Sequence, residues 1–283
     1  MKLSSFEFVT KSERSAQRYL VKSCWKNYRR FCHHCRARKL YRIRRYRYRC
    51  PRCRYEFGDF TGRWISYLNI SCKNWLWTIK LFELEVSARK ASRQLGLSYP
   101  TVLKAFHILR KSIVAHTQDS DILLSGEIEA DETYFGGRRK GKRGRGARNK
   151  TPVFGILQRR GLARVEILKD VSTESILNAT VKTVRRGSIV YTDKFRSYDS
   201  LMFCGYRHLK IDHQKHFSRG KVYINGLEGF WSYAKERLIK FHGVSKERFP
   251  FYLKEMEFRY NNRNKSIFDI LVKNVCDLVA KPL

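Results

Sequence analysis

Residues 126–137 have the sequence GEIEADETYFGG, in which small or apolar side chains alternate with acidic ones. The apolar positions are Ile128 and Ala130, and the acidic positions are Glu127, Glu129 and Asp131. A two-residue period is typical of a β-strand, because successive side chains point to opposite faces. The pattern therefore predicts a strand with an acidic face, which is unusual in a chain of net charge +35.

The segments after this strand predict an α/β arrangement. TPVFGILQRR and ARVEILKD have the pattern of two further strands, TESILNATVKTV that of a helix capped by Thr173, and SIVYTD and YRHLKI that of two short strands. A polar stretch then leads into the helical segment NGLEGFWSYAKERL, residues 225–238. The order β-β-β-α-β-α-β-α predicts a sheet with flanking helices.

Three acidic residues of this arrangement could share one site. Asp131 lies towards the end of the first strand, and Asp193 ends the fourth. If these strands are neighbours, their carboxylates approach each other, and Glu228 of the later helix supplies a third oxygen ligand. Converging carboxylates repel one another unless a cation lies between them, and Mg²⁺ prefers oxygen ligands. Two such ions, roughly 4 Å apart, would activate an attacking hydroxyl and stabilise the leaving oxygen of a phosphodiester.

Structural roles for the same residues remain open at this point. An aspartate at a strand end often belongs to a turn, and Glu228 could cap its own helix. Lys235 follows Glu228 by nearly two helical turns, so the two share a helical face. They could form a surface pair, or place an acidic ligand beside a phosphate-binding base. Phe230 and Trp231 are expected to anchor this helix to the sheet, with a base contact as the alternative for Trp231.

Upstream, residues 31–57 contain two C-x-x-C pairs, in FCHHCRARKLYRIRRYRYRCPRCRYEF. The pairs are Cys32 with Cys35 and Cys50 with Cys53, and 14 residues separate them. Each pair can form a tight knuckle, and two knuckles complete a tetrahedral zinc site. The intervening alternation of aromatic or apolar with basic residues predicts a short β-hairpin. The alternative is a pair of redox dithiols or unrelated buried cysteines.

Between this module and the acidic strand, residues 74–113 predict three helices. Ser87 can cap the second helix, Gly96 can end it, and Ser98 can cap the third. Two helices joined by a short glycine turn form the helix-turn-helix pattern, whose last helix enters a DNA major groove. The residues that this helix would present to the groove are Tyr99, Thr101 and Lys104. An ordinary helical hairpin remains the alternative.

The composition limits the partners of this chain. Lys and Arg number 60 against 25 Asp and Glu, the pI is about 10.2, and 42% of the residues are hydrophobic. A folded polycation predicts a polyanionic partner, with nucleic acid favoured over a membrane surface. No apolar run approaches the ~18–20 residues of a membrane span, and the N-terminus lacks the apolar core of a secretory signal. We therefore expect a reducing cytoplasmic location, where the eight cysteines favour metal binding over disulfides.

A basic loop is predicted between the acidic strand and the next strand, TPVFGILQRR. Residues 138–150, RRKGKRGRGARNK, contain eight Lys and Arg and no acid, which predicts a flexible loop inside a domain. Its candidate DNA contacts are Arg138, Arg139, Lys140, Lys142 and Arg143.

The spacing of the three acids, with Glu228 35 residues after Asp193, resembles that of the DDE-type transposases of bacterial insertion sequences. EADETYFGG resembles the first catalytic motif of a zinc-ribbon-bearing family among them, VYTDKFRSY the second and NGLEGFWSYAK the third. FPFYLKEMEFRYNNR resembles the final helical segment of the same family. The resemblance covers nearly the whole chain, because ribbon, helix-turn-helix and catalytic core occur in the family's order.

The resemblance implies a ribonuclease-H-like core, a mixed sheet flanked by helices, that uses Mg²⁺ or Mn²⁺ to cut and rejoin transposon ends. It makes Asp131, Asp193 and Glu228 the metal ligands, and Lys235 a DNA contact near the scissile phosphate. Glu132 points the other way in an extended strand and is placed outside the site.

Two histidines and the domain boundaries complete these expectations. His208 and His213 match histidines before the family's last motif, and a structural or DNA-contact role is expected for them. The predicted segments are 1–63 with the zinc ribbon, 64–117 with the helix-turn-helix, 118–265 with the catalytic domain, and 266–283 as a C-terminal tail.

The expected function is that of a transposase that binds the terminal inverted repeats of an insertion sequence and carries out metal-dependent cleavage and strand transfer. Its partners would be the element ends, target DNA and further copies of the chain on DNA, without a membrane or a small-molecule substrate. The protein would lie in the bacterial cytoplasm, associated with the nucleoid. The alternatives are a DNA-binding regulator without catalysis and a decayed transposase that only binds DNA.

Overall fold

The computed structural model describes residues 1–118, 122–136, 150–193, 196–211, 223–241 and 243–279. The chain divides into two compact units, of which the first comprises Met1–His116 with Asn264–Leu283 and the second Thr117–Arg263. The finer division predicted from the sequence stays a prediction. No helix within the described ranges has the length and hydropathy that crossing a bilayer requires.

The first unit begins with two helices and the small sheet of the cysteine-rich segment. Helices α1 (Leu3–Thr10) and α2 (Glu13–Cys24) precede strands β1 (Tyr41–Arg44), β2 (Arg47–Arg49) and β3 (Glu56–Gly58). The strands pair antiparallel in the order β1-β2-β3. The hairpin predicted between the two cysteine pairs is therefore confirmed, and β3 extends it to a three-stranded sheet.

Three helices follow, α3 (Cys72–Glu83), α4 (Ala88–Leu95) and α5 (Tyr99–Gln118). The Ser87 side chain accepts the N–H of Lys90, and Gly96 ends α4 in the left-handed conformation with φ of 62°. Ser98 Oγ accepts the N–H of Thr101 in the first turn of α5. These contacts confirm the predicted caps and the helix-turn-helix order.

The second unit contains a five-stranded mixed sheet. Its strands are β4 (Glu127–Phe135), β5 (Thr151–Gln158), β6 (Ala163–Ile167), β7 (Ile189–Thr192) and β8 (Arg207–Lys210), in the order β6-β5-β4-β7-β8. β4, β5 and β6 pair antiparallel, whereas β7 pairs parallel with β4 and β8 pairs parallel with β7. The helices of this unit are α6 (Thr173–Thr183), α7 (Asn225–Ile239) and α8 (Phe249–Asn261). A mixed sheet flanked by helices confirms the predicted ribonuclease-H-like α/β class.

The two faces of this sheet belong to separate apolar cores. On one face, Ile128 and Ala130 of β4 pack in a core with Ile176 of α6. On the other face, Leu157 of β5 packs with Phe230 of α7 and with α8. Because side chains alternate along a strand, the acids of β4 that lie between its apolar residues face α7.

The start of α6 differs from the prediction by one residue. Ser172, in an extended conformation, caps the helix by accepting the N–H of Ser175, whereas Thr173 is already the first helical residue. The prediction that Thr173 is the cap was therefore wrong. Only a residue with extended backbone can fold its side-chain oxygen back onto the N–H groups of the first turn.

Side chains of α8 cover the edge strand β6. Asn261 accepts the N–H of Ala163 at 2.8 Å and donates to the carbonyl of the same residue at 2.9 Å. Glu257, which is fully buried, accepts the N–H of Val165 at 2.8 Å. An open edge offers unpaired backbone groups to another chain. The end of α8 therefore takes the place of a neighbouring strand.

The segment predicted as a C-terminal tail contains helix α9 (Ile267–Cys276), which belongs to the first unit. Glu83 accepts the N–H of Phe268 at 2.9 Å, and the Phe268 ring lies edge-on to that of Phe6 with centroids 5.5 Å apart. Phe268 is fully buried. This helix is thus part of the first unit's core.

Candidate active site

The pairing of β4 with β7 brings two of the predicted acids to neighbouring positions. Glu129 pairs with Tyr191 in parallel register, and Asp193 follows the last residue of β7 directly. The same register, continued by two residues, sets Asp131 beside Asp193. Both side chains then face the side of the sheet that α7 covers.

The surroundings of Asp131 disfavour the charged form of its carboxyl group. Burial, together with the nearby carboxylates of Glu132 and Asp193, raises the pKa of Asp131 from 3.8 to about 7. The hydrogen bond from Trp231 Nε1 to Asp131 Oδ2, 3.1 Å long, acts in the opposite direction. A divalent cation between the two aspartates would offset their repulsion, because it favours the charged form of both.

Trp231, on α7, fixes the orientation of the Asp131 side chain through the hydrogen bond from its indole. The indole is buried on the sheet, and a Cβ at Gly155 would lie only 2.4 Å from its Cζ2 atom. Gly155 pairs with Asp131 across β5 and β4, so the glycine leaves the space that the ring needs. Phe230 is also buried, and the two rings anchor α7 to the sheet as expected.

Glu228 lies on α7 between two attachments to β4. The N–H of Leu227 binds Glu129 Oε2 at 2.9 Å, and Trp231 binds Asp131. Glu228 itself is exposed. Within the described parts of the chain, only the four zinc-ribbon cysteines bring three or more ligand atoms within 4.8 Å of one another, so the three acids do not form such a cluster.

Lys235 is exposed on α7, nearly two turns after Glu228. Among the described residues no ion pair includes Lys235, and one ion pair at the end of this helix joins Lys240 to Glu236 at 3.9 Å. The interpretation of Glu228 and Lys235 as a salt bridge therefore has no support in the structure.

Glu132 and His208 lie on the opposite face of the sheet. The hydroxyl of Tyr198 donates to Glu132 Oε2 at 2.6 Å in a buried contact, which agrees with the placement of Glu132 outside the site. Thr192 Oγ1 lies 2.8 Å from His208 Nε2, so this contact ties β8 to the residue that precedes Asp193. His213 lies outside the described residues.

The cysteines of the first unit form a compact cluster. The Sγ atoms of Cys32 and Cys53 are 3.5 Å apart, those of Cys35 and Cys50 are 3.4 Å apart, and all four lie within 4.8 Å. A disulfide requires about 2.05 Å, whereas tetrahedral zinc with bonds of about 2.3 Å sets its sulfurs at roughly 3.8 Å. The cluster fits a structural zinc ribbon.

Each knuckle of the ribbon is closed by its own backbone. The N–H of Arg36 binds the carbonyl of Cys32, and the N–H of Arg54 binds that of Cys50. Both arginines have a left-handed backbone, with φ of 61° and 58°. The two knuckles therefore share one conformation, which turns each pair of thiols inward.

The predicted DNA contacts of α5 differ in exposure. Tyr99 and Lys104 are exposed, whereas Thr101 is half-buried with its Oγ1 2.8 Å from Ser98 Oγ. The hydroxyl of Thr101 thus takes part in the helix cap. The five basic-loop candidates lie outside the described residues; they are Arg138, Arg139, Lys140, Lys142 and Arg143.

Sequence reasoning missed two residues that adjoin the acids. Glu129 is 1% exposed and binds both Leu227 and Arg159. The alternation of the first strand placed Glu129 on the same face as Asp131. Arg159 had no comparable signal, because one arginine in a chain of this composition does not stand out.

Two family models match the chain. The ISXO2-like transposase domain matches residues 123–261, and the transposase zinc-ribbon domain matches residues 11–56. These ranges contain the three acids and the four cysteines respectively.

Curated relatives match as well. An uncharacterized transposase-like protein of Haemophilus influenzae is 44% identical over 106 residues, which are 37% of this chain and 86% of that protein. An uncharacterized protein in transposable element ISH50 of Halobacterium salinarum is 29% identical over 273 residues, covering 88% of this chain and 90% of that protein. The crystal structure of the Mos1 strand transfer complex covers 72% of this chain and 74% of its own, at 13% identity and a TM-score of 0.30. A TM-score of 0.30 is too low to support a conclusion about this chain.

Proposed function

We propose that this chain, which belongs to the family of ISXO2-like transposases, cleaves and joins DNA. In this proposal it binds the terminal inverted repeats of its own insertion sequence, cuts the DNA there and joins the freed ends to target DNA. The observation that carries the proposal is the neighbouring pair Asp131 and Asp193, beside the helix that bears Glu228.

The acidic set fits Mg²⁺ or Mn²⁺. Asp131, Asp193 and Glu228 offer only carboxylate oxygens, which these hard cations prefer. The raised pKa of Asp131 supports this fit, because burial and the nearby carboxylates of Glu132 and Asp193 disfavour its charged form, which a bound cation would favour. When bound, the ions would polarise the scissile phosphate and stabilise the charge that develops on the attacking and leaving oxygens.

The chain's own side chains orient the reacting groups. Nε1–H of Trp231 donates a hydrogen bond to Oδ2 of Asp131 and so fixes the direction in which the other carboxylate oxygen, Oδ1, points. The rings of Trp231 and Phe135 are both buried, with centroids 6.1 Å apart, and form an apolar contact on the face of the sheet that carries Asp131. Lys235 would bind a DNA phosphate next to the scissile bond, since its ammonium is exposed on the helix of Glu228.

The reaction has two steps of the same chemistry. In cleavage, water attacks a phosphodiester at the element end, and the leaving 3′ oxygen takes up a proton to become a free hydroxyl. In joining, that hydroxyl attacks a target phosphodiester, so one phosphorus–oxygen bond forms as another breaks. No bond energy is lost in the exchange, and no ATP is required.

DNA binding is assigned to the first unit and to the basic loop. The ribbon and α5 would recognise the terminal repeats, with Tyr99 and Lys104 as the accessible candidates on α5. The basic loop and Lys235 would bind phosphates, which predicts steep salt dependence. Because two ends must be joined to one target, the active form is proposed to be a dimer or larger assembly on DNA.

The test is incubation of the purified, zinc-loaded protein with its own element-end DNA and Mg²⁺, read on a denaturing gel. Wild-type protein is expected to nick the end in a metal-dependent way. Asp193→Asn should bind the same DNA and leave it uncut.

The matched control is Asp170→Asn, the same chemical change at an exposed aspartate in the loop before α6. This variant is expected to cut like wild type. Cleavage by Asp193→Asn at the wild-type rate would refute the proposed site, and specific end binding without any cleavage by wild type would favour a regulator or a decayed enzyme.

A further inference from the structure

A second acid of β4, Glu129, lies on the same face as Asp131 but has a different environment. Its side chain is 1% exposed, and both of its oxygens accept hydrogen bonds from the chain. Oε2 accepts the N–H of Leu227 at 2.9 Å, and Oε1 accepts Nε–H of Arg159 at 3.1 Å. An acid whose oxygens are both engaged in this way is a poor candidate for a metal ligand.

The contact with Leu227 closes the N-terminus of α7. The residue before the helix, Ile224, provides no side-chain cap, and its backbone carbonyl accepts the N–H groups of Leu227 and Glu228, each at 3.1 Å. Glu129 supplies a second, charged acceptor for the Leu227 N–H from a different element, and its charge is favourable at the positive end of the helix dipole. A Cβ at Gly226 would lie 2.9 Å from Glu129 Oε2 and 2.8 Å from Leu157, so glycine permits this approach.

Arg159, which follows β5, holds the other side of the carboxylate. Its guanidinium lies 3.8 Å from the ring centroids of both Tyr191 and Tyr223, between the two rings. It also donates to the carbonyl of Tyr223 at 2.7 Å and to Glu127 Oε1 at 3.3 Å. One arginine thus joins β4, β7 and the residues that lead into α7.

We propose that Glu129 and Arg159 are positioning residues that set Glu228 of α7 against Asp131 of β4. Glu228 follows Leu227 directly, and Asp131 lies two residues after Glu129, so the Glu129–Leu227 contact adjoins both acids. Together with the Trp231–Asp131 bond three residues later, it attaches α7 to β4 on both sides of Glu228.

The inference rests on the proposed function, since it assigns these residues a role towards the cation site. It gives the charge pair of Glu129 and Arg159 a role other than stability. An ion pair in a core contributes little net stability compared with apolar residues of the same volume, and in some proteins such a pair serves to specify one geometry. Residues that orient metal ligands commonly change metal affinity or activity by about 10–100-fold when they are replaced.

The first experiment measures cation binding directly. Zinc-loaded protein is titrated with Mn²⁺, and free Mn²⁺ is followed by electron paramagnetic resonance. Glu129→Gln keeps the size of the side chain but sets an amide against either the Leu227 N–H or Arg159. We expect Mn²⁺ binding to weaken by about 10-fold or more, and the Mg²⁺ concentration for half-maximal cleavage to rise by the same factor.

The matched control is Glu257→Gln. Glu257 is also a buried acid of the second unit, and it accepts the N–H of Val165 at 2.8 Å and the ammonium of Lys254 at 2.7 Å. Replacing the Glu257 carboxylate with an amide should lower the denaturation midpoint about as much as Glu129→Gln does, and it should leave the Mn²⁺ affinity unchanged. Equal weakening of Mn²⁺ binding in both variants would overturn the inference, because general loss of stability would then explain it.

A second variant keeps every charge in place. Gly226→Ala crowds the Glu129 carboxylate, and hydrogen exchange of the peptide spanning residues 223–231 should become faster than in wild type. We expect weaker Mn²⁺ binding here as well. Wild-type exchange and wild-type Mn²⁺ affinity in Gly226→Ala, or wild-type Mn²⁺ affinity in Glu129→Gln, would overturn the inference.

Asp131→Asn separates this inference from the proposed function. If Asp131→Asn abolishes Mn²⁺ binding while Glu129→Gln binds like wild type, the cation site stands and only the positioning role fails. If wild type binds no Mn²⁺ beyond what Asp131→Asn binds, the cation site and the positioning role fail together.

Discussion

The contact between Gly155 and Trp231 leads to a sharp prediction, because a single methyl group must disturb both stability and chemistry. In Gly155→Ala, the new Cβ would lie 2.4 Å from Cζ2 and 2.8 Å from Cη2 of Trp231. Non-bonded carbon atoms prefer about 3.5–4.0 Å, so the ring must move by roughly 1 Å. The ring cannot move freely, since its Nε1 is bound to Asp131.

Two costs add in this variant. Overpacking of a core costs about 1–3 kcal/mol, and loss of a hydrogen bond to a charged group costs about 1.5–3 kcal/mol. We expect the free energy of unfolding to fall by roughly 2.5–6 kcal/mol. Because a misplacement of about 1 Å can cost ~10²-fold in rate, cleavage of end DNA should fall by a similar factor in the fraction that remains folded.

Urea unfolding followed by circular dichroism measures the stability, with Trp231→Phe as the partner variant. Phenylalanine lacks the ring atoms that the new methyl group meets, so the double variant should be more stable than the sum of the two single effects predicts. We expect a coupling of about 1–2 kcal/mol. Additive effects, or a wild-type midpoint for Gly155→Ala, would refute the steric argument.

The control for this series is Gly229→Ala, a glycine of α7, the helix that carries Trp231. A Cβ at Gly229 meets nothing within 4 Å among the described residues. Alanine is the better helix former, so this variant should gain about 0.5–1 kcal/mol of stability. A loss of stability in Gly229→Ala would indicate that the protein is destabilised by any added methyl group in this region. The destabilisation of Gly155→Ala could then not be attributed to its contact with Trp231.

Three further predictions address other parts of the chain. Asp131→Asn should stabilise the zinc-loaded protein, in buffer without added Mg²⁺ or Mn²⁺, near pH 8 but not near pH 4, as urea unfolding can measure. Burial raises the pKa of Asp131 from 3.8 to about 7, so the stabilising contribution of the protonated carboxyl is complete below the first value and lost as the pH rises through the second. Asn261→Ala should lower the free energy of unfolding by about 2–4 kcal/mol, because the N–H and carbonyl of Ala163 lose their partner; an unchanged urea midpoint would contradict the edge-strand role. Purified protein should hold about one zinc per chain, and a zinc chelator should unfold the β1–β3 sheet, seen as rapid amide exchange over residues 32–57; retained protection without zinc would exclude a structural zinc.

Much of the secondary structure could be predicted because its signals are local. Ser87, Gly96 and Ser98 cap or end helices through contacts with residues three or four positions away, so the sequence contains both partners of each contact. The cysteine pairs are likewise local, since each knuckle closes on itself. The one-residue error at Thr173 shows the limit of such signals, because adjacent Ser172 and Thr173 are both good caps and only the backbone conformation chooses between them.

The partners of the core could not be predicted in the same way. The alternation of β4 showed that Glu129 and Asp131 share a face, but it did not show that one binds Leu227 and the other Trp231. Residues 266–283 were predicted to be a C-terminal tail, and nothing in their sequence indicated that Phe268 would pack against Phe6 near the opposite end of the chain. These contacts join residues about 100 to 260 positions apart, and local pattern carries no information about them.

The sequence by itself determined the kinds of element, the two cysteine knuckles, the family and the three acidic candidates, because each rests on residue type and short spacing. Only the tertiary structure decided that β7 lies beside β4 in a register that aligns Asp193 with Asp131, and that Gly155 admits the indole beneath them. The physical reason is that strand order and register follow from the burial of both faces of the whole sheet. The same burial raises the pKa of Asp131, so the chemistry of the site depends on the packing of residues distant in sequence.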